Sequence, residues 1–245
     1  MPTKKKVRRK KIRKDPRAPH IVALQKNLKE VERLVSIHAD ISGSGPGRKR
    51  NVQVLNKSAI ILLLACWEAY IEDLAENVFN ILLEHASEPT VFPDHVLAIA
   101  AKEVKKGDAA RLWSLSGEGW KVELKEHKQK ILTKYIVRGS FNTPSSSNIN
   151  TLFSELVGLT SISRQWYWPG MSNSKVDAKL TELIELRGSI AHRVEASRII
   201  YKKDVEDFRK FILRLAVISN NRSVVMLKDR TNHKSWRKYK LGKTK

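Results

Sequence analysis

Two side chains suited to chemistry at a phosphate, Arg187 and His192, stand five positions apart in LRGSIAHR (186–193), and Arg193 follows at once. An arginine keeps its charge at neutral pH and presents a planar fork of donors. A histidine can take or give a proton near pH 7. Cleavage of RNA needs a base for the 2′-hydroxyl proton and a cation for the charge growing on the phosphoryl oxygens. It also needs an acid for the departing 5′-oxygen. One Arg–His pair meets the first two needs without a metal. One imidazole cannot be base and acid in the same step, so this chemistry favours a homodimer with facing motifs.

The motif closes an amphipathic run, KVDAKLTELIELR, read as a helix over about 175–186 that continues into it. Five positions turn an ideal helix by about 500°, which leaves the two side chains roughly 140° apart. They would not share a face of a regular helix, and Gly188 permits a helix end or a distortion between them. A plainer reading has Arg187 capping a helix carboxyl end and His192 on the surface.

The strongest helical signal is VQVLNKSAIILLLACWEAYIEDLAENVFNILLEH (52–85), apolar on every face in its middle, which implies a central, surrounded helix. Glu68 adjoins Trp67 in its most apolar part. Burying an unpaired carboxylate costs several kcal/mol. Glu72 lies four positions on, hence on the same face. An ion pair from Glu68 to Arg187 would relieve the cost and orient the guanidinium. Alternatively this face borders solvent, or Lys57 or another helix satisfies the glutamates.

Around these two helices the chain reads as follows. Ile21, Leu24, Leu28, Val31, Leu34 and Val35 recur at helical spacing. SGSGPGRKRN (42–51) is a loop. Shorter helices are expected over 94–104 and 108–114, a noisier one over 121–137, and another at INTLFSELVGL after a capping serine. An aromatic loop, TSISRQWYWPGMSNS, leads to the motif helix; it is expected to pack on the bundle or to line an RNA path. The last clear helix is 202–219, with Asp204 in its first turn; only SVVML (223–227) hints at a strand. The fold class is therefore all-α, an antiparallel bundle over 20–222, between a basic disordered arm at 1–19 and a basic tail at 223–245.

The 245 residues suffice for one sizeable domain and carry a net charge of +22. That bias points to polyanions, nucleic acid before membrane. It is uneven. Residues 4–14, KKKVRRKKIRK, hold nine cations and no acid, and 228–245 hold eight cations and one acid, leaving about +6 for the middle. Lys4, Lys5, Lys6, Arg8, Arg9, Lys10, Lys11, Arg237 and Lys238 are expected to hold RNA phosphates through counterion release. Trp236 and Tyr239 are placed to stack on unpaired bases. The plain alternative is a solubilising tail.

One cysteine, Cys66, allows no intrachain disulfide and no thiolate cluster, which fits a reducing cytoplasmic setting. The longest uninterrupted apolar stretch, 59–67, is too short to span a bilayer, and no signal core follows the basic start. GSGPG lacks the strand before it and the Lys-Ser/Thr after it that a phosphate loop requires. The seven histidines form no HExxH, and no serine sits in a nucleophile elbow. No metal or cofactor is implied.

LACWEAYIEDL on a long helix, then ELRGSIAHR on a late one, then KKDVEDFRKFILRLA, resemble the HEPN family, and most of all its RiboL-PSP branch, over roughly 50–220. The family motif is Arg, four to six residues, then His, which Arg187 and His192 fit. The resemblance implies a helical bundle that dimerises with both motifs at a shared cleft. It further implies a metal-independent endoribonuclease of a toxin–antitoxin or phage-defence system, with a possible antitoxin or defence partner protein. Arg187 would stabilise the phosphate and His192 would be the general base, with Glu68, Glu72, Ser189 and Arg193 supporting. The residue after the family arginine is often polar; here it is Gly188, and Ser189 is the candidate to replace it. The competing class is a non-catalytic helical protein that binds nucleic acid or assembles with partners in such a system.

Overall fold

The computed structural model describes residues 17–42, 52–106, 112–113, 115–137, 143–194 and 196–240. Lys4 to Lys11, the loop at 42–51 beyond Ser42, and most of the helix expected at 108–114 lie outside them. Seven α-helices follow in order: α1 (Pro19–Ser42), α2 (Gln53–His85), α3 (Asp94–Lys105), α4 (Gly119–Leu132), α5 (Ser146–Val157), α6 (Asn173–Arg193) and α7 (Lys202–Thr231). Among the described residues there is no strand, only a single bridge between Trp168 and Met171.

Why α2 is central is visible in its side chains. Ile60, Leu63, Trp67, Ile71, Leu74, Val78, Phe79 and Leu82 are all fully buried, because α1, α5, α6 and α7 pack around them. By length and composition α2 is apolar enough to cross a membrane, a length the uninterrupted run 59–67 did not suggest; half of its most apolar stretch is covered by the rest of the bundle. Two polar anchors fix its depth: the Tyr70 hydroxyl donates to the Ala216 carbonyl at 2.6 Å, and Trp67 Nε1 donates to the Pro144 carbonyl at 3.4 Å.

The aromatic loop packs on the bundle. Trp166 is buried, its Nε1 donating to Ser219 Oγ at 2.9 Å, and the Arg214 guanidinium lies 4.7 Å from the Trp168 ring centre. Only Tyr167 faces out. The helices end where local chemistry ends them. Ser145 and Ser172 cap α5 and α6 by accepting from Asn148 N and Lys175 N. Gly158 closes α5 in the left-handed region, at φ 67°, with its α-carbon against the Pro93 ring where a side chain would collide.

Two expectations at the C-terminus are corrected. The hinted strand at 223–227 and the domain edge after residue 222 both fall inside α7, which runs to Thr231. Asn220, Asn221, Val224 and Val225 are weak helix formers, yet burial of Ser223, Met226 and Leu227 overrides their preference. Residues 232–240 then turn back onto the bundle, so this stretch is not a free tail.

Candidate functional site

α6 is regular through the motif. Gly188 neither ends nor distorts it; the helix continues to Arg193 and is closed by Val194 in the left-handed region, at φ 58°. Arg187 therefore does not cap a carboxyl end. It falls instead on the stripe of α6 that otherwise carries Val176, Leu180, Leu183 and Ile190, all buried, so a guanidinium occupies a core-facing position and is half-buried. His192, in the last turn, lies about 140° round the helix and roughly 7.5 Å further along it, and is exposed. Within one chain the two groups do not share a face. Arg193 is exposed beside His192.

The partner of this stripe is α2, which runs antiparallel to α6. Val54, Lys57, Ile61, Ala65, Glu68 and Glu72 fall within about 60° of one another around α2. Glu68 and Glu72 are half-buried there. Burial raises the Glu68 carboxyl above its ordinary range, and the positive charge of Arg187 partly offsets this. The two are electrostatic neighbours, although no direct ion pair joins them among the described residues. Glu72 is raised to about 7, first by burial and then by the charges of Glu68 and Asp73. The stripe thus holds two carboxyl groups biased towards their neutral forms, with one guanidinium favouring charge on the nearer.

Lys57 does not serve the glutamates. Its ammonium donates to the Val194 carbonyl at 2.8 Å and so ties α2 to the residue that closes the motif helix. Beside it, Gln53 and Asn56 donate to the Ile200 carbonyl at 3.2 and 2.8 Å. This brace was not anticipated, although Lys57 and Glu68 stand eleven positions, three turns, apart and so share a face.

Gly188 faces open space: a β-carbon built there meets nothing within 4 Å. Ser189 does not replace the polar neighbour expected at 188. Its hydroxyl donates to the Leu186 carbonyl at 2.9 Å, within its own helix, and it lies on the far side of α6 from Arg187. Around the motif the surface is apolar. Of ten large exposed apolar side chains among the described residues, five lie here: Val54, Ile61, Val194, Ile199 and Tyr201. Isolated exposed apolar residues are ordinary, but a contiguous group is characteristic of an interface.

At the C-terminus, Trp236 is buried with its ring 4.7 Å, edge-on, from that of His20. It cannot stack on a base. Tyr239 is half-buried, with the Arg237 guanidinium 4.9 Å from its ring centre, while Arg237 and Lys238 are exposed. Among the described residues no three His, Cys, Asp or Glu side chains group as metal ligands.

A family model described as RiboL-PSP-HEPN matches residues 23–221. No curated protein and no solved structure matches the chain.

Proposed function

The chain belongs to the RiboL-PSP-HEPN family, and from that premise we propose that it is a metal-independent endoribonuclease working as a homodimer, a toxin or defence effector acting on cytoplasmic RNA. The observation that carries this reading is Arg187, a guanidinium on the core-facing stripe of α6 beside half-buried carboxyl groups. A structural residue at that position would be apolar, as its stripe neighbours are.

In the proposed step His192 removes the 2′-hydroxyl proton. The 2′-oxygen bonds to phosphorus, and the phosphorus–5′-oxygen bond breaks. Arg187 holds the non-bridging oxygens as their charge grows. The second copy's His192, protonated, gives its proton to the 5′-oxygen. The products are a 2′,3′-cyclic phosphate and a 5′-hydroxyl. The exposure of His192 and the apolar rim formed by Val54, Ile61, Val194, Ile199 and Tyr201 support a two-fold partner at this end of α6. Glu68 steers Arg187 through its charge.

The test is total RNA incubated in chelator, with the cut ends mapped. His192→Ala should abolish cleavage while the dimer persists. Arg187→Lys keeps the charge beside Glu68 but loses the fork, so it should fold and cut about 10–100-fold more slowly. Cutting by His192→Ala at the parent rate rejects the assignment. It would then favour a non-catalytic binding or assembly protein, the reading that the plain Gly188 supports.

A further inference from the structure

The two ends of the chain, 221 residues apart, are fastened together. The Ala18 amide donates to the Tyr239 hydroxyl at 3.0 Å. Asn221 on α7 grips the same tyrosine twice: its Nδ2 donates to the Tyr239 carbonyl and its Oδ1 accepts the Tyr239 amide, both at 2.8 Å. Asn220 donates to the Arg237 carbonyl at 3.3 Å and accepts from His20 at 2.9 Å. Trp236, 8% exposed, closes over His20. The fasteners are the strap at 232–240 and the start of α1, and residues 1–22 and 222–245 lie outside the family match.

This clasp has an electrostatic result. The strap carries Lys234, Arg237, Lys238 and Lys240 and no acid. Arg17 adjoins the clasped Ala18, and the nine cations of 4–14 are joined to this point by only Asp15 and Pro16. Two basic segments at opposite ends of the sequence therefore share one anchorage. On α2, Tyr70, whose ring lies 5.6 Å from His20, is about 200° round the helix from Glu68. The clasp thus lies across the central helix from the motif.

We propose that the clasped chain ends form one composite basic surface that binds the phosphate backbone of single-stranded RNA, away from the cleavage motif. The inference rests on the reading of RNA as substrate and deepens it: the strap and the arm act as one site, with Trp236 and Tyr239 as fasteners rather than base-stacking platforms. Phosphate contacts of this kind hold without reading sequence. Holding both segments at one point makes the second contact intramolecular.

The test is binding of the full chain to a labelled single-stranded 2′-O-methyl RNA over a range of salt concentrations. That RNA lacks the attacking hydroxyl, so binding is read whether or not the protein cleaves. Changing Lys234, Arg237, Lys238 and Lys240 together to Gln should reduce the slope of log K against log salt by roughly 3. Asn221→Ala removes no charge, yet should weaken binding about tenfold by releasing the strap. Tyr239→Phe should act in the same direction, and Trp236→Ala more strongly where it folds. Parent-like binding by both Asn221→Ala and Tyr239→Phe overturns the proposal, as does an unchanged slope in the Gln variant. So does parent protein that binds anionic phosphatidylserine vesicles but not the RNA. A protein that binds this RNA through the clasp but cuts no ordinary RNA would retain the proposal and lose the ribonuclease reading.

Discussion

The Lys57 ammonium holds the Val194 carbonyl at 2.8 Å, and Val194 is the left-handed residue that closes the helix bearing Arg187 and His192. The last turn of α6 is therefore fixed from α2, eleven positions before the glutamate that senses Arg187. Lys57→Met keeps the aliphatic stem and removes the donor. A solvent-facing bond of this kind is worth about 1 kcal/mol, so kcat should fall roughly fivefold with KM unchanged. A rise in KM alone would make Lys57 a substrate contact instead.

Gly188 sits inside a continuous helix with open space where a side chain would project. Gly188→Ala should raise stability by about 1 kcal/mol, since glycine is a poor interior helix residue, and should leave cleavage unchanged. Gly188→Asn supplies the polar neighbour to the arginine common in the family and should speed cleavage. Thermal melts and initial rates of the two variants read these outcomes separately. Loss of folding in Gly188→Ala would show that the position is not open.

Much of this was legible because hydrophobic periodicity is strong where burial is complete. The apolar core of α2 and the 3.6-residue rhythm of α1, α5 and α6 required all-α packing before any coordinates. The rhythm of α6 also placed Arg187 and His192 on different faces. What was not legible depends on contacts distant in sequence. The cations of 228–245 read as a tail because nothing local reveals that Trp236 finds His20 or that Tyr239 finds Asn221 and Ala18. The second half of α7 read as a strand because Val224 and Val225 are β-branched, and only the burial of Met226 and Leu227 decides otherwise.

Glu72 makes a pH prediction with a definite sign. Its folded pKa, about 7, lies above the ordinary glutamate value of 4.5. Between those values the folded state binds more protons than the unfolded, so this group's contribution to stability is lost as pH rises through 7. Glu72→Gln removes the penalty of ionising there. The variant should melt roughly 2–4 °C above the parent at pH 8, corresponding to about 1 kcal/mol after allowance for solvent screening. At pH 4.5 the two should coincide. Equal melting at both pH values would show that the carboxyl is freely solvated.

His20 makes the opposite prediction, and the reason lies in its surroundings. Asn220 uses its amide nitrogen on Asn221 and on the Arg237 carbonyl, so its oxygen faces His20, and His20 Nε2 must carry the proton between them. The other ring nitrogen, Nδ1, is buried with no partner. Tyr70 and Trp236 meet the ring edge-on, and neither offers a carboxylate. A second proton would therefore be buried without an acceptor, and burial pulls the pKa from 6.5 down to about 4. On acidification the unfolded chain takes up this proton near pH 6.5 and the folded chain does not. Stability should thus fall between pH 6.5 and 4, by about 3 kcal/mol from this group. His20→Gln offers Asn220 a donor but cannot be charged. Urea unfolding at pH 7 and pH 4.5 should show a smaller acid loss for the variant than for the parent, whatever other groups contribute to both. Because His20 lies under Trp236, the same acidification should loosen the clasp and weaken RNA binding in the parent more than in the variant. Identical pH dependence in parent and variant would mean that the imidazole finds a proton acceptor or water in its pocket.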